Sequence, residues 1–384
     1  MRIKAGILRS AFESMKGKVS HSDRLIPKDE VNRFMIDSLS KVGCPHDHSL
    51  LLSDLLLQAD YRGHFSHGLN RFEMYVDDIR TEMTDPKVTP AVLKETPSTA
   101  WVDGQNGLGV VVGDFCMKLA IQKAKDSGIG LVSAKGSNHF GMCQWYSEQA
   151  LNDGLIGLSF TNTSPLATPT RSKDRLFGTN PLCISAPGLN GDYFTLDMAT
   201  TTVALGKIEM QRRKNEELPS LSWALGADGH PTRNADEAFN NGCGLMPLGG
   251  SETNSGYKGY GLAMMVELLC GVLADAQYGP FIRKWMNRET PGKANLGQCF
   301  ISINPKVFGE GFSSRLQVLM DVIRHSSPAD DSLPVLVPGD PETAHRRKVD
   351  SEGGILYTED HIISYAILAK ELGVEPMKSL KDLL

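Results

Sequence analysis

Residues 100–113 read Ala100-Trp-Val-Asp-Gly-Gln-Asn-Gly107-Leu-Gly109-Val-Val-Val-Gly113, and whether this is a dinucleotide-binding turn decides the fold. A Rossmann fingerprint runs a strand straight into its glycines and sets an acidic residue at the end of the next strand, about twenty residues on. Here the Asp103-Gly-Gln-Asn106 turn separates Trp101 from Gly107, and Asp126 precedes the second apolar run, Ile129 to Ala134, instead of following it. The spacing excludes a Rossmann domain. A phosphate loop of the form GxxxxGK[ST] is also absent from the chain.

Working outward, Leu155 to Asn162, Leu182 to Ala186, Tyr193 to Asp197 and Phe300-Ile-Ser-Ile-Asn304 are further short apolar or alternating runs bounded by turn residues, hence strands. Helices over about 108–127 and 142–152 lie between them. Before Pro86 the texture is helical. Pro27 to Val42 carries Val31, Met35, Leu39 and Val42 in register and stops at Gly43; helices follow over His48 to Asp60 and from Gly68 to about Glu82. After Gly256 a long, nearly all-apolar helix to Ala276 is expected to be buried, with later helices over Ser313 to Arg324 and Glu359 to Leu372 and a proline-rich loop over 326–340. The expected architecture is α/β. A non-Rossmann α/β domain over 93–254 is inserted between chain ends, 27–92 and 255–384, that form a mostly helical second domain.

Composition removes several classes of function. With 40 Lys and Arg against 45 Asp and Glu, the net charge of −5 offers no basic field for nucleic acid. No apolar stretch is long enough to span a membrane. The seven cysteines, at 44, 116, 143, 183, 243, 270 and 299, are odd in number and form no CxxC pair, as expected of reduced thiols in an intracellular protein. Cys44-Pro-His46-Asp-His48 reads as a helix break and cap, and no metal site is expected. Residues 1–26 form a basic tail with Arg2, Lys4, Arg9, Lys16, Lys18 and Arg24 against Glu13 and Asp23. A cytoplasmic location is expected, with a mitochondrial transit segment as the alternative reading of that tail.

Two polar motifs carry the chemistry. In Ser66-His-Gly-Leu-Asn-Arg71-Phe-Glu-Met-Tyr75, one continuous helix would place His67, Arg71 and Tyr75 on a single face, opposite a packing stripe of Leu69, Phe72, Val76 and Ile79. Ser66 as N-cap would set His67 in the first turn, where the dipole favours an anion, and the fork of Arg71 matches a carboxylate. A solvated helix face is the plainer alternative. The second motif, Ser137-Asn-His139-Phe-Gly141, places a histidine in a loop after the Leu131 run, where catalytic groups tend to sit. Asn162-Thr163, Thr179-Asn180, Asp197-Met198-Ala199 and the turn around Lys258 offer backbone N–H groups and short polar side chains suited to ribose and phosphate, or serve as plain turns.

The motifs taken in order carry a resemblance. Ser66-His-Gly-x-x-Arg71, Ser137-Asn-His-Phe-Gly141, Phe160-Thr-Asn-Thr-Ser-Pro165, Phe177-Gly-Thr-Asn-Pro181, Asp197-Met-Ala-Thr-Thr201, Ser222-Trp-Ala-Leu225, Pro247-Leu-Gly-Gly250, Gly256-Tyr-Lys-Gly-Tyr-Gly-Leu262 and Pro338-Gly-Asp-Pro-Glu342 closely resemble the malate/L-lactate dehydrogenase family of 2-hydroxyacid oxidoreductases. That family includes ureidoglycolate, sulfolactate and diketogulonate relatives.

The resemblance implies a non-Rossmann NAD(P) fold with a mixed-sheet cofactor domain, usually in a homodimer. The cofactor it implies is NAD, with NADP as alternative, and the partner is a small 2-hydroxy or 2-oxo acid such as malate or an L-lactate-like acid. His67 and His139 fall on two histidines with acid/base roles in different relatives. Thr163, Asp197, Met198, Ala199 and the turn of Gly339, Asp340 and Pro341 fall on cofactor contacts. The expected reaction binds the substrate carboxylate at Arg71, orients it with Ser66 and Tyr75, and moves the hydroxyl proton through a histidine, with slight preference for His139. A reductase of cyclic imines or diketo acids and a non-catalytic nucleotide-binding homologue are the rival expectations.

Overall fold

The computed structural model describes residues 23–284 and 292–383. The basic tail before Asp23, and with it the transit-segment reading, lies outside the described residues. Eleven strands follow in chain order: β1 (Arg24–Ile26), β2 (Ala91–Glu95), β3 (Thr99–Asp103), β4 (Ile129–Ser137), β5 (Ile156–Thr161), β6 (Leu182–Pro187), β7 (Tyr193–Met198), β8 (Ala224–Leu225), β9 (Gly244–Leu245), β10 (Leu296–Ile303) and β11 (Ile355–Tyr357). Seven of them form one sheet in the order β2-β3-β4-β10-β5-β6-β7. It is mixed: β3 and β4 run parallel, while β10 is antiparallel to both its neighbours.

The chain divides into two compact units. One holds Glu82–Ser185 and Asp197–Val307; the other holds residues up to Thr81, Ala186–Leu196 and everything from Phe308. These boundaries differ from the expected 93–254 insert. Residues 255–307 fall with the sheet because β10, drawn from that segment, pairs along its length with β4 and β5. Its Phe300 faces Val132 on one side and Ser159 on the other.

In the sheet unit, the helix Gly109–Ser127 links β3 to the parallel β4, a βαβ crossover. The 107–113 glycines serve packing. A Cβ on Gly109 would lie 2.2 Å from the carbonyl oxygen of His139, and one on Gly113 would lie 2.5 Å from the Tyr146 ring. Backbone therefore presses on backbone where a nucleotide loop would open. Phe140 stacks on Tyr146 at 4.6 Å, and Phe300 packs on both rings. All three are essentially fully buried, worth roughly 1.5–3 kcal/mol each relative to exposure.

In the other unit, helices Lys28–Lys41, His46–Tyr61 and Phe72–Arg80 supply a core that includes Phe34, Leu52, Leu55 and Phe72, joined by Leu69 and by Tyr365 from the helix Glu359–Leu372, and the helices Phe312–Arg324 and Asp340–Glu352 complete the unit. Phe34 packs against Phe72 at 5.9 Å and Tyr365 at 6.0 Å. The two chain ends meet in the β1–β11 pair, Ile26 opposite Ile355.

The expected buried helix after Gly256 is not buried all round. It runs α-helical over Gly256–Glu267 and continues as a π turn over Leu268–Val272. Met264, Leu268, Val272 and Leu273 are 46–60% exposed, whereas Val266, Glu267 and Cys270 are buried. The inward carboxylate of Glu267 finds amide partners, which inverts the polarity that composition suggests. Among the described residues no helix is long and apolar enough to cross a membrane.

Candidate functional site

The first motif does not form the expected single helix. Phe65–His67 is one turn of 3-10 helix, Leu69–Arg71 is another, and the α-helix begins only at Phe72. Between them Gly68 adopts ψ −140°, which breaks the ladder. Ser66 is therefore no N-cap of that helix, and the expected i, i+4, i+8 face does not exist. The chain gathers the polar residues by a tighter route. The Ser66 hydroxyl lies 2.8 Å from His67 Nδ1, and Arg71 Nε donates to the Ser66 carbonyl at 2.9 Å.

Arg71 makes no ion pair with an acidic side chain among the described residues, and its guanidinium also lies beside Met74 Sδ at 4.0 Å. Burial first, then the charges of Arg71 and His64, pushes His67 down to about 4, so the ring is neutral near pH 7. Tyr75 is 4% exposed and lies among the packed positions Phe72, Val76 and Ile79 rather than on the polar side. The packing stripe itself is as expected: Leu69, Phe72, Val76 and Ile79 are all buried.

His139 stands in the loop after β4. Its predecessor Asn138 is buried and donates to the Gly107 carbonyl at 2.9 Å, with a longer bond to the Asn106 carbonyl at 3.2 Å. Gly141 N–H donates to His139 Nδ1 at 3.3 Å, which places the neutral ring's hydrogen on Nε2 in this arrangement.

The four expected nucleotide turns divide by environment. Asn162 and Asn180 are fully buried, and both amides donate to Glu267, at 3.0 and 2.9 Å. Asn162 Oδ1 accepts from Gly297 N–H at 2.9 Å and Asn180 Oδ1 from Thr163 N–H at 3.2 Å. These side chains are committed to holding the turns, and the half-buried residues beside them, Thr163 and Thr179, present the hydroxyls. Thr163 Oγ1 accepts from Thr179 N–H at 3.0 Å and lies 3.5 Å from Thr179 Oγ1. A Cβ on Gly178 would sit 2.0 Å from Thr163 Oγ1, so only glycine lets the turns close.

A shallow pocket of about 10 Å³ lies beside them, lined by Phe177, Gly178, Thr200, Thr201, Pro247 and Tyr260. Asp197 accepts from Gln144 N–H at 2.7 Å, at the head of the short helix Gln144–Ser147. Met198 and Ala199 are half-buried, and Lys258 is exposed.

Gly339, Asp340 and Pro341 belong to the other unit. They open the helix Asp340–Glu352, which the sequence reading left as a turn: Gly339 is its left-handed N-cap at φ 101° and Pro341 sits in its first turn. Both oxygens of Asp340 are engaged by Arg324, at 3.0 and 2.7 Å, with Asp192 on the same guanidinium.

Two acidic residues escaped the sequence reading. Asp60 lies near the C-terminal end of its helix, where the dipole favours a cation, and Glu267 interrupts an apolar run. Both are charges where local rules predict none, and each lies buried under one of the motifs. Among the described residues no group of three or more His, Cys, Asp or Glu is placed to hold a metal.

Comparison with known proteins gives these elements a lineage. The malate/L-lactate dehydrogenase family model matches residues 26–363. The chain is 40% identical to the malate dehydrogenase of Pyrococcus abyssi over 319 residues, 82% of this chain and 86% of that protein. It is 38% identical to the L-sulfolactate dehydrogenase of Methanocaldococcus jannaschii over 352 residues, 91% and 97% of the two chains. The solved malate dehydrogenase of Pyrococcus horikoshii OT3 superposes with a TM-score of 0.85 at 35% identity, over 94% of this chain and 99% of that one. With the mixed sheet and the ordered motifs on the page, the chain belongs to the malate/L-lactate dehydrogenase family and is a hydroxyacid dehydrogenase.

Proposed function

We propose that this dehydrogenase interconverts a small 2-hydroxy acid of the malate or L-lactate type and its 2-oxo acid, using NAD, with NADP as the alternative. The observation that carries the reading is the Ser66–Arg71 turn, in which a guanidinium anchored through Nε stands without an acidic partner beside a neutral histidine. Arg71 binds the substrate carboxylate through its outer nitrogens, a charge-assisted pair that sets the orientation. Ser66 holds the His67 ring, and the neutral His67 lines the acid without adding a second charge.

The residues around the 163 and 179 turns fit a nicotinamide nucleotide. Their half-buried hydroxyls suit ribose or amide, while their backbone N–H groups are spent in closing the turns. Thr163 and Thr179 would make the contacts, with Met198 and Ala199 contributing surface. When bound, the nicotinamide supplies the two-electron acceptor or donor. His139 moves the proton. In oxidation its neutral imidazole takes the hydroxyl proton on the nitrogen that carries no hydrogen and becomes imidazolium, and in reduction the imidazolium returns a proton to the carbonyl oxygen; the Gly141 N–H contact at Nδ1 opens in the imidazolium, where both nitrogens carry hydrogen.

The test is a panel of 2-oxo acids with NADH and NADPH, followed at the nicotinamide absorbance. Turnover of oxaloacetate, pyruvate or a close analogue is expected. Turnover confined to cyclic imines or diketo acids would move the assignment to a reductase of those compounds, and binding of the nucleotide without any turnover would end it.

A further inference from the structure

Asp60 is 1% exposed and lies directly beneath the turn that carries His67 and Arg71. Its Oδ2 accepts from Leu69 N–H at 2.9 Å and from the Tyr357 hydroxyl at 2.7 Å. Its Oδ1 is buried without a hydrogen-bond partner and faces the α-carbon of Gly68, where an added Cβ would come within 1.9 Å. A second hydroxyl, from Tyr365, donates to the Leu69 carbonyl. Leu69, midway between His67 and Arg71, is thus held through the N–H of one peptide and the carbonyl of the next, and a carboxyl fills the space that glycine leaves. A buried carboxyl that stabilised the fold and nothing more would be expected to satisfy both oxygens. This one leaves an oxygen unpaired in order to touch Gly68.

We infer that Asp60 is the positioning residue of the substrate-binding turn. By fixing the Gly68–Leu69 peptide it sets the break between the two 3-10 turns, and with it the hydrogen bond from Arg71 Nε to the Ser66 carbonyl. The inference rests on the reading of that turn as the carboxylate site. It acts on the acid and leaves the nucleotide alone, because the Thr163 and Thr179 turns belong to the other compact unit. Desolvation raises the Asp60 carboxyl to about 7, as expected for a group kept for its shape and its acceptor oxygen as much as for its charge.

The experiment compares Asp60→Asn, Asp60→Ala, Gly68→Ala and the Asp60→Ala/Gly68→Ala double variant, each checked for folding by circular dichroism. Asp60→Asn keeps an acceptor and the shape, and should hold KM for the 2-oxo acid within about threefold of wild type. Asp60→Ala and Gly68→Ala should each raise that KM roughly tenfold or more while KM for NADH stays put. The double variant should lose less than the product of the two singles, because the new methyl enters the space the carboxyl vacated.

A second readout needs no turnover. The His67 resonance in a histidine-labelled sample, assigned by its loss in His67→Asn, should titrate at higher pH in Asp60→Ala than in wild type and be unmoved in Asp60→Asn. Unchanged KM for the acid, an equal rise in both KM values, or a His67 titration indifferent to Asp60→Ala would overturn the inference. If wild type turns over no 2-oxo acid, the functional reading has failed, and the His67 titration still decides whether Asp60 sets the turn.

Discussion

His67 and His139 differ in how their rings are held, and that difference ranks them. His139 has its Nδ1 turned to a backbone N–H, and the Asn138 amide anchors the loop at the preceding residue. A ring carried on a loop so anchored loses little freedom when it meets the reacting oxygen. His67 is tied to Ser66 and pushed down to about 4, too acidic a conjugate acid to serve as the main proton carrier near neutrality. His139→Ala should therefore lower kcat roughly 100-fold, the usual scale of general acid–base effects, and His67→Ala should act mainly through KM for the acid. Steady-state kinetics on both variants check this. A near-normal kcat in His139→Ala with a collapsed kcat in His67→Ala would exchange the two roles.

The helix His46–Tyr61 and the turn lying on it carry opposed titrations. His67 titrates at about 4 in the fold against an ordinary 6.5, so the unfolded chain binds its proton first and stability falls as pH drops through that window. Asp60 titrates at about 7 against 3.8, so the folded chain binds its proton first and stability falls as pH rises through that range. Between about pH 4 and 6.5 the two slopes oppose each other in wild type. Asp60→Asn removes one, so its urea midpoint should fall more steeply than wild type's between about pH 7 and 5. Parallel profiles would contradict the placement of Asp60.

The same pair of elements shows what was legible in the sequence. The helix over Lys28–Lys41 and the crossover Gly109–Ser127 follow from local spacing, and the rejection of a Rossmann turn follows from where Asp126 stands. The break at Gly68 was hidden because its cause, a carboxyl eight residues earlier and a hydroxyl from Tyr357, is not local. The helix after Gly339 was hidden for another reason. Pro-Gly-Asp-Pro serves as well for a turn as for a helix start, and only the Arg324 contacts to Asp340 separate the two. Asn162 and Asn180 read as two of several turns suited to a nucleotide, and the pull of Glu267 on both amides cannot be read from a helix that looks apolar throughout.

On the scale of the whole chain, the exposed row along 264–273 is the largest departure from what composition suggests. Met264, Met265, Leu268, Val272 and Leu273 are each 39–60% exposed along one α/π stretch. Clustered apolar surface of this kind marks an interface. Such a row would suit the homodimer that the family resemblance implies. Light scattering should give about twice the 41.9 kDa of one chain, and Leu268→Asp should lower it. A monomer at micromolar concentration would reject the dimer.

The central claim is that the Ser66–Arg71 turn holds a 2-oxo acid by its carboxylate, and the most direct measurement is kcat/KM for oxaloacetate and pyruvate with NADH in wild type and Arg71→Lys. A point ammonium reproduces neither the fork nor the Nε bond to Ser66. Losing that charged pair should cost on the order of 2 kcal/mol, about thirtyfold in kcat/KM for the acid, with KM for NADH little changed. An unchanged kcat/KM in Arg71→Lys, or a loss that fell on the nucleotide instead of the acid, would contradict the account.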